Sequence, residues 1–390
     1  MNGTLQRKTD LDTPCLVLDL DILDQNLRKM QALTERAGKR LRPHAKTHKC
    51  SLLARRQMEI GAIGICAAKV SEAEALCRAG IENILITGPV VTKQKIARLV
   101  ALRAKAPSLM VVVDHPVPID LLSAALGDQG LTMDVLLDVD IGLHRTGVSP
   151  AESSAPAELS APAELSAPNG VINLADHILA HSNLRLRGIQ AYAGQVQHIH
   201  SYNDRKNGSH QCLQKATGIF HALQTKVPTC TVFSASGTGT SDIDLDIPEL
   251  TELQAGSYAC MDAEYLAIGS AEDNSRFTAF GPALRLLTTV VSVNQDGYVT
   301  VDAGLKALYR DGAVPQIINP EYAGLQYDWF GDEYGRVTGS GSVGMPPLGA
   351  VLELVTSHCD PTINLFDRYY VTQGPEVVDT WSIDLRGCSQ

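Results

Sequence analysis

The stretch Leu41-Arg42-Pro43-His44-Ala45-Lys46-Thr47-His48-Lys49 decides how the chain is read. Charged, turn-like Ala37-Gly38-Lys39-Arg40 precedes it, and a helical pattern starts near Cys50. Pro43 favours extended backbone around it, so Lys46 is expected at the carboxyl end of a short strand that runs into a helix. In α/β barrels that end of a strand is where chemistry is placed. An amine flanked there by histidines and other cations is expected to have a lowered pKa, towards its neutral, nucleophilic form. A basic surface turn accounts for these residues equally well. The balance shifts on a second motif far down the chain, Ser357-His358-Cys359-Asp360-Pro361-Thr362.

Outward from residues 41–46, strand-like apolar runs recur at 64–69, 83–87, 109–114, 133–140, 186–192, 231–236 and 253–256. Amphipathic segments such as 71–79, 93–104 and 210–225 supply the helices between them. Eight strands alternating with helices fit an α/β fold, a (β/α)8 TIM-like barrel. A doubly wound sheet is the alternative, but no glycine fingerprint follows the first strand to support one. From about Phe277 the texture changes to short alternating runs at 284–293, 298–302, 349–356 and 368–372, joined by Gly, Asp and Pro turns. With the early strand at 15–20, this reads as a second, β-rich domain. The expected division is a barrel over 22–275 and a β-rich domain over 1–21 and 276–390. A direct repeat, Ala155-Pro156-Ala157-Glu158-Leu159-Ser160 followed by Ala161-Pro162-Ala163-Glu164-Leu165-Ser166, marks a low-complexity insertion at 149–170.

A chain of 390 residues is too long for one ordinary core, which agrees with two domains. No segment approaches the roughly 20 continuous apolar residues of a membrane helix, and residues 1–12 lack an apolar signal core. The net charge of −10 argues against nucleic acid as a partner. The densest basic run, Lys39, Arg40, Arg42, Lys46 and Lys49, is therefore read as an anion site. Nine scattered cysteines without framework spacing read as reduced thiols in a cytoplasmic compartment, with an organelle stroma or matrix left open.

Together the two motifs resemble the D-threonine aldolase family, one of the fold-type III pyridoxal phosphate enzymes alongside D-serine dehydratases and alanine racemases. The resemblance starts at Asp12-Thr13-Pro14-Cys15-Leu16-Val17-Leu18-Asp19-Leu20-Asp21 and ends at Trp381-Ser382-Ile383-Asp384-Leu385-Arg386-Gly387. Between them it passes through Lys69-Val70-Ser71-Glu72-Ala73, Gly188-Ile189-Gln190-Ala191-Tyr192, Glu252-Leu253-Gln254-Ala255-Gly256-Ser257-Tyr258 and Val301-Asp302-Ala303-Gly304-Leu305-Lys306.

The resemblance implies that Lys46 is the Schiff-base lysine of pyridoxal 5′-phosphate, with Lys49 and Lys306 as internal competitors. The phosphate end needs backbone N–H groups and small residues that allow close approach. Ser236-Gly237-Thr238-Gly239-Thr240 and Gly256-Ser257-Tyr258 follow the last two barrel strands, the usual phosphate position of this fold. Similar chains are richer in glycine just before the first of these turns, where this one has Ala235 and Ser236. Tyr192 resembles the tyrosine that lies against the cofactor ring, although a core tyrosine with a satisfied hydroxyl would read the same way. The fork of Arg145 suits a substrate carboxylate or the cofactor's ring oxygen, against an ion pair with Asp138 or Asp140.

His358 and Asp360 are the metal pair. In an extended segment, residues i and i+2 share a face, so imidazole and carboxylate could hold one ion while Cys359 points away. That N and O donor set suits Mn²⁺ or Mg²⁺ better than a structural zinc. The related dehydratases carry His-x-Cys there, so Asp360 favours an aldolase. His198 matches the histidine thought to handle the β-hydroxyl proton, and His198 with His200 forms a lesser rival metal pair. Glu333-Tyr334-Gly335 departs from a Glu-His-Gly of similar chains.

The implied activity is metal-activated cleavage of D-threonine and related small-molecule D-3-hydroxy amino acids to glycine and an aldehyde, in a homodimer. A D-serine or 3-hydroxyaspartate dehydratase and a 3-hydroxyaspartate aldolase are alternatives on the same scaffold. A non-catalytic pyridoxal phosphate carrier and a barrel without cofactor are the readings from other classes.

Overall fold

Short runs of Ile, Val and Leu that are apolar on both faces suit a parallel sheet covered by helices on the outside. The computed structural model describes residues 6–149, 170–339 and 343–390. The chain enters through β1 (Cys15–Asp19) and turns into α1 (Leu20–Arg36), where the Asp19 carboxylate caps the helix by accepting from the Ile22 N–H at 3.1 Å. Eight parallel strands follow: β2 (Arg40–Leu41), β3 (Ile65–Ala67), β4 (Ile84–Ile86), β5 (Met110–Val113), β6 (Met133–Asp138), β7 (Leu184–Ala191), β8 (Val232–Ala235) and β9 (Glu252–Leu253). Around them lie α2 (Ser51–Ile60), α3 (Val70–Arg78), α4 (Lys93–Lys105), α5 (Pro116–Gly127), α6 (Val171–Leu179) and α7 (Tyr202–Lys226). Two single-turn helices, α8 (Ser241–Asp244) and α9 (Ala263–Leu266), follow the last two strands.

The strand order β2-β9-β8-β7-β6-β5-β4-β3 closes through a parallel bridge between His44 and Cys66, which makes the sheet a barrel. All eight expected strands are present. Helix α7 starts earlier than the expected 210, because Ser201 caps it by accepting from the Asp204 N–H at 3.3 Å and burial of Arg205 and Ser209 carries it through Gly208.

The remaining strands are β10 (Leu284–Ser292), β11 (Tyr298–Val301), β12 (Gln316–Ile317), β13 (Gln326–Trp329), β14 (Gly335–Thr338), β15 (Val351–Val355), β16 (Arg368–Gln373) and β17 (Glu376–Ser382). They form a second sheet that takes β1 between β10 and β16. Paired on both edges, Cys15 to Leu18 are all buried. The N-terminal strand therefore belongs to the β-rich sheet. The repeat at 155–168 lies outside the described residues. Among the described residues, no helix is long and apolar enough to cross a membrane.

One buried ion pair ties the first barrel strand to the last. Arg42 donates to Glu252 through Nε at 2.9 Å and Nη2 at 3.0 Å, and through Nη1 to the Asn83 carbonyl at 2.5 Å. Removing one partner leaves the other charge uncompensated in the interior, which costs about 3–5 kcal/mol. Arg42→Met is therefore expected to lower unfolding stability by about that amount. Denaturant titration checks this, and an unchanged midpoint would show that Glu252 finds another partner.

Candidate active site

Lys46 sits just past β2, at the carboxyl end of the barrel, and its Nζ lies 3.8 Å from Asp360 Oδ2. Its backbone N–H donates to His44 Nδ1 at 3.3 Å, which leaves the other ring nitrogen to carry the proton and donate to Thr87 Oγ1 at 3.0 Å. Burial, reinforced by Lys46, pushes the His44 pKa well below the usual histidine range, so the ring is neutral. Lys46 itself departs from the expected lowered amine. Burial does disfavour its ammonium, but the Asp360 carboxylate, helped by Tyr192, outweighs that and raises the pKa.

The basic run of residues 39–49 does not form one anion site. Lys39 donates to the carbonyls of Ile247 and Pro248 at 2.9 and 2.6 Å, Arg42 is held by Glu252, and Lys49 reaches Glu72 at 2.7 Å. Neighbours along extended backbone point to opposite faces, and cations taken out of water need partners. Of these five residues only Lys46 lines the cavity.

The two small-residue turns line the same cavity. Ser236, Gly237, Thr238, Gly256 and Ser257 line it with Arg145 and Tyr192. Ser236 has φ of 76°, a left-handed conformation that a glycine would adopt more readily. At Gly256 a Cβ would stand 2.6 Å from Thr47 Oγ1 and 3.0 Å from the His44 carbonyl, so only glycine leaves that cradle open. Thr238 Oγ1 accepts from the Tyr258 N–H at 2.9 Å and locks the two turns together.

Gly239, Thr240 and Tyr258, expected at the cofactor, do not line the cavity. The Gly239 N–H donates to Gln197 Oε1 at 3.1 Å and Thr240 Oγ1 donates to Asp244 at 2.5 Å, both behind the turn. The Tyr258 hydroxyl is turned to Gln57 Nε2 at 3.1 Å. The turn curls into helix after Thr238, so its later residues serve the interior. Arg145 makes no ion pair with Asp138 or Asp140. Asp138 accepts from Gln190 and Thr146, Asp140 from His144, and the Arg145 guanidinium lies 5.8 Å from the centre of the Tyr192 ring.

The segment 357–362 is not extended. His358 is the N-cap of a short helix, α10 (Cys359–Ile363), and Asp360 lies in its first turn. Helical turning still brings the pair together, with His358 Nε2 4.0 Å from Asp360 Oδ1. Cys359 does not point clear of the pair, since its buried thiol approaches Asp360 Oδ1 at 3.5 Å. The helix is placed by Asp262, whose carboxylate accepts from Cys359 N–H at 3.0 Å and Tyr265 N–H at 2.9 Å, capping α10 and α9 at once. Burial would raise the Asp360 pKa, but Lys46 and His358 hold it below the usual carboxylate range. Asp360, Asp262 and Asp311 raise the His358 pKa against the effect of burial.

His198 stands beside this pair. Its ring lies 4.5 Å from that of Tyr265, and its Nδ1 is 3.4 Å from Glu264 Oε1. Its Nε2 is buried with no hydrogen-bond partner. Burial and the nearby His358 lower its pKa to about 4. His200 turns away, its Nδ1 against the Ala267 carbonyl at 3.1 Å, so the His198/His200 pair is not assembled. Lys306 is paired with Glu333 on the surface.

The alanine racemase N-terminal domain family matches residues 18–263, and the serine dehydratase domain family matches residues 283–372. Along nearly its whole length the chain is similar to a D-threonine aldolase of Arthrobacter sp, 38% identical over 97% of this chain and 94% of the relative. The chain belongs to the D-threonine aldolase family. A 3-hydroxy-D-aspartate aldolase of Paracoccus denitrificans is 34% identical over 97% of this chain and 93% of its own. The crystal structure of a D-threonine aldolase from Filomicrobium marinum superposes with a TM-score of 0.89, at 34% identity, covering 100% and 99% of the two chains. The protein is accordingly an enzyme, a carbon–carbon lyase of the D-threonine aldolase family, with the fold-type III architecture of pyridoxal phosphate enzymes.

The cavity of this family member is also lined by His44, Gln190 and Gln254, which stand in the quoted motifs but were not expected at the site. Gln190 donates to Asp138 at 2.9 Å and to the Thr87 carbonyl at 3.0 Å, while Gln254 donates to Gln190 Oε1 at 3.0 Å and Ser234 Oγ at 2.8 Å. This polar chain and His44 floor the cavity, and Tyr265 borders it on the His198 side. The available signal was their parity: Gln190 and Gln254 sit near the carboxyl ends of barrel strands, where a buried glutamine is out of place in an apolar core.

Proposed function

We propose that this enzyme is a metal-activated, pyridoxal phosphate-dependent aldolase that cleaves D-threonine and related D-3-hydroxy amino acids to glycine and an aldehyde. The observation that carries this is the convergence of an amine, a carboxylate and an imidazole: Lys46, which lines the cavity, has its Nζ 3.8 Å from one oxygen of Asp360, and His358 Nε2 lies 4.0 Å from the other, both behind the cavity wall. The residues fit both groups. A glycine cradle at Gly256 and the Ser236–Thr238 turn line the same cavity as Lys46, as a phosphate-bearing cofactor needs. His358 and Asp360 provide one nitrogen and one carboxylate donor for a divalent ion, Mn²⁺ or Mg²⁺ by hardness. When bound, pyridoxal phosphate supplies an electron sink for the charge left at Cα, and the ion supplies Lewis acidity at the β-hydroxyl.

The chain's own residues do the rest. Lys46 would hold the cofactor, and Tyr192, which lines the same cavity, would stand beside it. The exposed fork of Arg145, free of Asp138 and Asp140, binds the substrate carboxylate. His198 takes the β-hydroxyl proton at Nε2, the nitrogen without a partner, while Nδ1 faces Glu264. A base must be unprotonated to act, and the lowered pKa keeps His198 neutral at ordinary pH. His198→Gln is expected to reduce kcat by about 10²–10⁴-fold while the cofactor's absorbance persists. Steady-state rates beside a spectrum check this, and an unchanged kcat would pass the proton to another acceptor.

The activity is tested by product analysis with D-threonine, with and without a chelator. Glycine and acetaldehyde that vanish on chelation and return with Mn²⁺ or Mg²⁺ are expected. A 2-oxo acid with ammonia would make the enzyme a dehydratase and overturn the reading of Asp360. Glyoxylate from 3-hydroxyaspartate, with no cleavage of D-threonine, would move the substrate to that of the Paracoccus relative.

A further inference from the structure

On the outer wall of the barrel, away from Lys46, two histidines and an aspartate meet. Asp120 lies on α5, His177 in the last turn of α6, and His181 in the turn that ends α6. His177 Nε2 and His181 Nε2 approach the same oxygen, Asp120 Oδ1, at 2.6 and 3.0 Å, and the three donor atoms lie within 4.8 Å of one another. Among the described residues this is the group of three such side chains gathered closely enough to share an ion.

His177 in the last helical turn and His181 just past the helix end bring their imidazoles together, with ring centres 5.2 Å apart and an interplanar angle of 74°. A hydrogen-bonded trio needs a proton on each Nε2. With both nitrogens deprotonated, the same arrangement offers two lone pairs and a carboxylate to one point.

We propose that Asp120, His177 and His181 form a second metal site, which takes one borderline divalent transition ion such as Zn²⁺, with water as the fourth ligand. Two imidazoles and a carboxylate are a donor set that suits Zn²⁺. The rings are half-buried and the carboxylate is exposed, which leaves solvent access for the water. The carbonyl end of α6 adds a favourable field for a cation. The ion would staple α5 to α6 and would take no part in the chemistry at Lys46.

Equilibrium dialysis of the full, cofactor-loaded chain against Zn²⁺ tests the site. His177→Ala/His181→Ala is expected to bind one equivalent fewer than the unaltered protein and to keep its aldolase rate. The same loss of one equivalent is expected when both proteins also carry Asp360→Ala, which removes the contribution of the barrel mouth. With Co²⁺ as probe, visible d–d bands should survive Asp360→Ala and disappear in the double variant. Equal Zn²⁺ stoichiometry with and without the two histidines would overturn the proposal. If the double variant fails to fold, His181→Gln decides: a dissociation constant for the extra Zn²⁺ raised at least ~10-fold supports the site, and an unchanged one overturns it.

Discussion

Lys46→Ala is expected to yield folded protein with no visible cofactor absorbance and no measurable turnover. The side chain is 42% exposed within the cavity, so its removal costs little packing, and its ion pair with Asp360 is too open to matter much for folding. The chemical loss is complete, because no other lysine among the described residues lines the same cavity. Lys49 is held by Glu72 at 2.7 Å and Lys306 pairs with Glu333 on the surface. Lys46→Arg sharpens the test. It keeps a cation beside Asp360 but cannot exchange a carbonyl cofactor, so it should be as colourless and inactive as the alanine variant. Absorbance that persists in Lys46→Ala and is lost in Lys49→Ala would transfer the cofactor to the neighbouring lysine.

His358→Ala and Asp360→Ala are expected to keep the colour and lose roughly 10²–10⁴-fold in metal-dependent kcat, the several kcal/mol that a Lewis-acidic ion contributes. The two residues reach the site from α10, whereas Lys46 and the small-residue turns come from the barrel, so cofactor binding should survive. Each variant should turn over at the rate of the unaltered enzyme after chelation, and added Mn²⁺ should not restore it. Asp360→Asn is the finer probe, since it preserves shape and removes the charge. Full activity in Asp360→Ala would remove the metal assignment.

Much of the fold was legible because its signals are local. Several barrel strands are short apolar runs between turns, and a run such as Met110–Val113 announces itself without knowledge of its neighbours. The β-rich end was legible for the same reason. Lys46 could be placed at a strand end from Pro43 and the helix that follows. The conformation of 357–362 was not legible, since His-Cys-Asp alternation fits a strand as well as a helix start. Only the capping of Cys359 by Asp262, nearly 100 residues away in the chain, selects the helix.

The sequence by itself determined the family, the alternation that makes a barrel, and the residue types able to hold a cofactor and an ion. Tertiary structure alone decided which of them face one another. Asp360 raises the Lys46 pKa where neighbouring cations suggested the opposite, because this carboxylate, on the short helix α10 beyond β15, lies 3.8 Å away. Gly239, Thr240 and Tyr258 serve the interior while Gln190 and Gln254 floor the cavity, because side-chain direction depends on how each turn curls. Electrostatic and hydrogen-bonding effects fall off within a few ångströms of space, whatever the distance along the chain, and that separation is set only when the chain has folded.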